Sequence, residues 1–221
     1  MGGSMHILAH RGLLDGKTAE NTLEAFEVAR SAGLDGIETD VRLSADDELI
    51  LYHDRNTPDG VPVATLTLSE LRERAGLHVP TLEEAVEVWP DGFWDIEVKS
   101  PDVAPVLLSD LRVWQKRVNL LITSFRHDLM AHLADRVACP VGLLVSHRPH
   151  NAEALLSQWP ARVQPALIWD YDALDSAITG APAFAASEHY AYGVETCDEF
   201  RRCEDQGLVG VITDYPQRLG R

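Results

Sequence analysis

Disulfide chemistry is almost closed to this chain. Its only cysteines are Cys139, Cys197 and Cys203, which cannot all pair and have no metal-ligand spacing. They read as thiols of a reducing compartment, and a cytoplasmic protein is expected. Also missing is any apolar run longer than a strand, so no membrane-spanning segment is expected. Cations are scarce: 19 lysines and arginines face 35 acids, for a net charge of −16. Such a field argues against nucleic acid and against stable association with an anionic membrane. Any anionic substrate must therefore be drawn in by a local group of cations. Low-complexity tracts are absent as well. What is left is an ordinary globular composition, 45% hydrophobic and 24% charged, with length enough for a full core. Residues 1–4, "MGGS", have no charged or apolar leader character and read as a tag remnant, with one domain expected over 5–221.

Short β-type runs alternate with helix-period segments from end to end. Strands are expected at 6–10, 35–43, 49–54, 93–100, 119–125, 141–146, 163–169, 190–195 and 210–215. Leu23, Phe26, Ala29 and Ala32 form one helical stripe. Thr81 and Thr196 open capping boxes, and Gly33 and Gly207 stand where helices should stop. Alternation of this kind implies a parallel sheet. One connection breaks the rule: the eight residues between Asp40 and Leu49 are too few for a parallel crossover. The run 49–54 should then return antiparallel, and a two-residue turn at Asp46-Asp47 would set Asp40 opposite His53. The apolar face of that hairpin would be Val41, Leu43, Ile50 and Tyr52. Without the return arm, eight parallel strands remain. They fit a compact (β/α)₈ TIM barrel with a short hairpin and small insertion after strand 2. An open doubly wound sheet is the alternative.

Two strands carry paired polar side chains on one face. In "GIETDV" these are Glu38 and Asp40, and in "DIEVK" they are Glu97 and Lys99. Both pairs fall near C-terminal strand ends, where barrel active sites are built. Three carboxylates converging on one rim would repel one another, and a hard divalent cation, Mg²⁺ or Ca²⁺, relieves that repulsion. His10 ends the first strand at the same rim, and the hairpin returns His53 to it. Two imidazoles across a bound anion suit general acid–base cleavage of a phosphate ester. Arg11 offers paired donors to phosphate oxygens, and Gly12 allows a sharp turn beside a ligand. Asn21 reads as the N-cap of the following helix. Glu20 either orients Arg11 or reaches the metal. The remaining histidines read as structural, and "SHRPHN" (146–151) as a candidate contact for a substrate headgroup.

In this order the motifs resemble the glycerophosphodiester phosphodiesterase family. They are His10-Arg11-Gly12, Glu20-Asn21-Thr22, Glu38-x-Asp40-Val41, His53-Asp54, Glu97-x-Lys99 and the closing "GVITDYP" (210–216). "TSF" (123–125) resembles the family's central strand end. The match spans nearly the whole chain. It implies a (β/α)₈ barrel that cleaves a small water-soluble glycerophosphodiester to glycerol 3-phosphate and an alcohol. By resemblance, Glu38, Asp40 and Glu97 bind Mg²⁺ or Ca²⁺, His10 and His53 are the acid–base pair, and Arg11 and Lys99 hold the phosphate. Three departures stand out. Ala19 replaces the usual proline, the segment 54–80 is short, and the late strand ends Tyr192-Gly193-Val194-Glu195 where the family usually has an asparagine. An acid at that point would favour cationic headgroups. A cyclising phosphodiesterase acting on lysophospholipids and a non-catalytic phosphodiester-binding barrel are the competing readings.

Overall fold

The structure, a computed structural model, describes residues 4–114 and 117–220. Of the expected tag remnant, Met1–Gly3 lie outside these residues. Eight parallel strands close into a barrel: β1 (His6–His10), β2 (Gly36–Leu43), β4 (Phe93–Val98), β5 (Asn119–Ser124), β6 (Val141–Val145), β7 (Ala166–Asp170), β8 (His189–Tyr192) and β9 (Gly210–Thr213). Closure runs through β1, which pairs in parallel with both β2 and β9. The ninth strand, β3 (Leu49–Leu51), lies antiparallel on β2 as the expected return arm. Among the described residues no helix is long and apolar enough to cross a membrane.

Helices fill the connections: α1 (Leu23–Ser31), α2 (Leu68–Ala75), α3 (Leu82–Val88), α4 (Val103–Trp114), α5 (His127–Ala134), α6 (Ala152–Leu155), α7 (Ser176–Thr179) and α8 (Cys197–Asp205). The capping boxes form at Thr81 and Thr196, where each hydroxyl accepts from a backbone N–H and the glutamate three residues on accepts in return. The main core packs the outer strand faces against the helices, with Ile37, Val41, Trp94, Ile96, Leu107, Ile122 and Trp169 among its buried members. A second cluster fills the barrel interior with Leu8, Leu121, Leu144, Ile168, Tyr190 and Ile212. Gly142 belongs there because a Cβ would come within 2.5 Å of Ile168.

The hairpin register differs from expectation by one residue. Val41 pairs with Leu51, Arg42 with Ile50 and Leu43 with Leu49, so Asp40 faces Tyr52 and not His53. The reason is the turn. It contains three residues, Ala45, Asp46 and Asp47, closed by Ser44 N–H to Glu48 O at 3.0 Å, and Asp47 takes φ 62°. A one-residue slip exchanges the faces. Leu49 and Leu51 join Val41 in the main core, while Ile50 packs with Val63, Leu66, Leu71 and Val79 in a satellite cluster under the insertion. The strand expected at 190–195 also stops early. It ends at Tyr192 because Gly193 turns to φ 77°.

Candidate active site

Inside the barrel, every second residue of each strand faces inward. Toward the C-terminal end these are acids on neighbouring strands: Glu38 and Asp40 on β2, Asp95 and Glu97 on β4. All four are buried, and oxygens of Glu38, Asp40 and Glu97 lie within 4.8 Å of one another. Burial drives the Glu38 carboxyl well above the usual range, aided by the charges of Asp40, Asp95 and Glu97. Burial also raises Glu97, against the pull of Lys99, and pushes Asp95 up to about 7. Burial would raise Asp40 too, but Lys99, Arg11 and Asn21 together hold it below its ordinary value. Lys99 Nζ lies 3.1 Å from Asp40 and 2.8 Å from Glu97, and Arg11 Nε is 3.1 Å from Asp40. The two cations do not match four buried acids. An all-oxygen set with surplus negative charge fits a hard divalent cation, and Glu38, Asp40 and Glu97 are the residues that could hold it.

The segment after β1 braces this cluster from one side. Arg11 adopts φ 55°, a costly conformation for a long side chain. Its N–H donates to Glu38 O at 2.8 Å, and its carbonyl accepts from Asn21 N–H at 2.9 Å. Glu20 orients the guanidinium, with Nη1 3.1 Å from both carboxylate oxygens. Gly12 is required here on two grounds. Its φ is 87°, and a Cβ would stand 2.7 Å from that of Ala25 on α1. Asn21 is not the helix N-cap. That place is taken by Thr22, whose hydroxyl accepts from Ala25 N–H. Asn21 instead takes φ 55°, and its buried amide lies against β2. There Nδ2 donates to Asp40 at 2.9 Å while Oδ1 accepts from the Thr39 hydroxyl at 2.6 Å.

Both expected histidines stand at the rim, each tied to an aspartate. His10 Nδ1 is 2.8 Å from Asp214, and its Nε2 is 3.8 Å from Glu38. His53 Nδ1 is 2.8 Å from Asp54. It lines one cleft with Asn21, whose amide donates to Asp40, so it stands at the edge of the cluster despite the shifted register. Arg42 secures it from behind, donating Nε and Nη2 to the His53 carbonyl at 3.0 and 2.7 Å. Beside His53, a cleft of about 150 Å³ opens between Glu20, Asn21, Tyr52, Asp54 and Leu77. A roomier cavity of about 570 Å³ lies at the other barrel end near His6, Phe93 and Asn119, away from these residues.

With this geometry in view, residues 10–218 match the model of the glycerophosphoryl diester phosphodiesterase family. The chain belongs to this family. It is therefore a phosphoric diester hydrolase by descent, and its barrel has solved counterparts. A glycerophosphodiester phosphodiesterase from Thermotoga maritima has 29% identity and a TM-score of 0.79, over 97% of this chain and 96% of that one. A phosphodiesterase from Oleispira antarctica, solved with its product sn-glycerol-3-phosphate, has the same fold at TM-score 0.82 and 24% identity, covering 97% and 94% of the two chains. In sequence, the glycerophosphodiester phosphodiesterase of Caldanaerobacter subterraneus subsp. tengcongensis is 27% identical over 96% of this chain and 95% of its own length.

Four residues of this phosphodiesterase-family site escaped the sequence reading: Arg42, Asp54, Asp95 and Asp214. Arg42 and Asp95 had a signal, since each stands two residues from an assigned acid on its own strand. Asp54 and Asp214 lay inside quoted motifs. Their tie to the imidazoles needs the rim geometry.

Proposed function

We propose that the protein hydrolyses small glycerophosphodiesters to glycerol 3-phosphate and an alcohol, with Mg²⁺ or Ca²⁺ held by Glu38, Asp40 and Glu97. The observation that carries this reading is the placement of two aspartate-anchored imidazoles, His10 and His53, beside one buried carboxylate cluster. The activity named for the Caldanaerobacter relative supports it. When bound, the cation would supply charge neutralisation at the phosphoryl oxygens and a lowered pKa for an attacking hydroxyl. Arg11 and Lys99 hold the phosphate, and each already faces the cluster. With Nδ1 tied to Asp214, His10 keeps Nε2 for proton transfer and takes the proton of the neighbouring glycerol hydroxyl as it attacks phosphorus. His53, with Nδ1 tied to Asp54, gives a proton to the departing alcohol oxygen. A cyclic phosphate forms, and water opens it with the proton roles reversed. Glu20 and Asn21 support the site by fixing Arg11 and Asp40. A single domain and a cytoplasmic setting belong to the same reading, the latter supported by three free thiols.

A second reading has a specific observation in its favour. Leu14 and Leu77 are exposed on the loops that flank the histidines, as an amphiphilic substrate would need. A cyclising phosphodiesterase on lysophospholipids would use them. Human lysophospholipase D GDPD1 is 25% identical over 98% of this chain. The test is ³¹P NMR of the chelator-stripped protein with glycerophosphocholine, glycerophosphoglycerol or lysophosphatidylcholine, each with and without Mg²⁺ or Ca²⁺. Metal-dependent release of glycerol phosphate from a water-soluble diester is expected. Cyclic phosphate from the lyso-lipid alone would favour the second reading, and silence on all three would sink both.

A further inference from the structure

Going round the barrel mouth, the proposed catalytic groups occupy one arc: His10 on β1, Asp40 on β2, Glu97 on β4 and Asp214 after β9. The opposite arc, β5 to β8, carries a different chemistry. Phe125, just past β5, is 46% exposed although it is a large apolar side chain. It reaches across the mouth to Tyr192 at the end of β8, edge to face, with ring centroids 6.2 Å apart. Tyr192 is paired in register with Asp170 on β7, so the two side chains stand side by side at the rim. Phe125 leaves β5 two residues after Thr123, the register partner of Glu97 on β4, so the aromatic pair stands on the rim next to the strand that carries Glu97.

Resting on the phosphodiesterase reading, we propose that Phe125, Tyr192 and Asp170 form the subsite for the substrate's alcohol, and that this subsite favours a cationic alcohol bearing an ammonium group. An edge-to-face aromatic pair and a carboxylate attract such a cation through the ring quadrupole and direct charge. The arginines on this arc are not free to serve an anionic group. Arg126 is held in a fork by Asp128 at 3.0 and 2.8 Å, and Arg148 lies 2.7 Å from Asp175. An exposed carboxylate, Glu195, sits on the loop leaving β8. The phosphate thus meets Arg11 and Lys99 on one arc while the ammonium group meets aromatics and acid on the other.

The test compares kcat/KM for glycerophosphocholine and glycerophosphoglycerol, measured with metal on the full-length protein, on Phe125→Ala and on Asp170→Asn. Phe125 is exposed, and asparagine keeps the acceptor that Asp170 offers Asp172 N–H, so both variants should fold. The intact protein is expected to prefer the choline diester. Each variant is expected to lower the choline-to-glycerol ratio by about 3- to 30-fold, the range for a partly desolvated cation–π contact. Turnover of both diesters with no preference, or with a ratio that neither variant moves, would overturn the subsite and leave the hydrolase reading standing. An equal loss on both substrates would overturn it too, since the aromatic pair would then hold the shared glycerol. Turnover of neither diester by the intact protein would overturn both readings.

Discussion

At the scale of the residue, most of the site is positioning. Asn21 holds two buried partners, Asp40 and Thr39, through one amide. Asn21→Ala would take the acceptor from the buried Thr39 hydroxyl, remove one of the donors to Asp40 and keep a β-carbon in the left-handed region, so urea melts of the metal-free protein should register a loss of about 1–3 kcal/mol. Asp214 differs because its side chain is 57% exposed and is tied to His10 at 2.8 Å. Asp214→Asn should leave stability within about 0.5 kcal/mol, as for other surface changes. It should nevertheless lower kcat on the order of 10-fold or more, because the imidazole loses the partner that fixes its tautomer. A melting curve and a rate measured on the same preparation separate the two effects; a fall in melting temperature that tracks the rate would refute a positioning role. Asn21 was legible from sequence as a supporting residue, but its contacts and the whole role of Asp214 were not. Asn21-Thr22 offers two candidate caps in a row, and only the φ of 55° at Asn21 decides between them. Asp214 lies 204 positions from His10, a contact that exists only once β1 and β9 close the barrel.

At the scale of the element, the strands were legible because apolar runs of strand length alternate with capped helices. The register of one hairpin was not. Two-residue and three-residue turns fit the same acidic stretch, and the choice rests on Asp47 accepting φ 62°. His53 reached the rim all the same, since it lies beyond the paired segment. A separate consequence concerns β8, where His189 Nδ1 accepts from the Trp169 indole at 3.0 Å. Burial lowers the His189 pKa from 6.5. A group depressed in the folded state gives stability that is present above its unfolded value and lost as pH falls through its folded value. The protein should therefore lose stability on the acid side from about pH 6.5 downward. His189→Gln keeps an acceptor for the indole and binds no proton. Denaturant midpoints across pH 5–8 should fall less steeply for the variant, and parallel curves would contradict the assignment.

At the scale of the whole molecule, charge is the organising fact. A chain of net charge −16 concentrates four buried carboxylates in its barrel mouth and offsets them only in part with Arg11 and Lys99. Folding without a cation keeps that repulsion; folding with one relieves it. Addition of Mg²⁺ or Ca²⁺ at about 100 times its Kd should stabilise the protein by about 2.7 kcal/mol. Glu97→Gln should abolish most of that increment in thermal melts, and an unchanged increment would move the cation elsewhere. The three acids were legible from alternation alone, because the period of two fixes which side chains share a face. Arg42 and Asp95 obey the same rule, each two residues from one of those acids on its own strand.

The measurement that bears most directly on the central claim sets His10→Gln and His53→Gln beside the intact protein. Metal affinity would be read by calorimetry and turnover of a water-soluble glycerophosphodiester by ³¹P NMR. Both variants are expected to bind the cation as the intact protein does and to lose kcat by about 10²- to 10⁴-fold, the range for a general acid or base. Undiminished turnover in either variant would contradict the two-histidine mechanism.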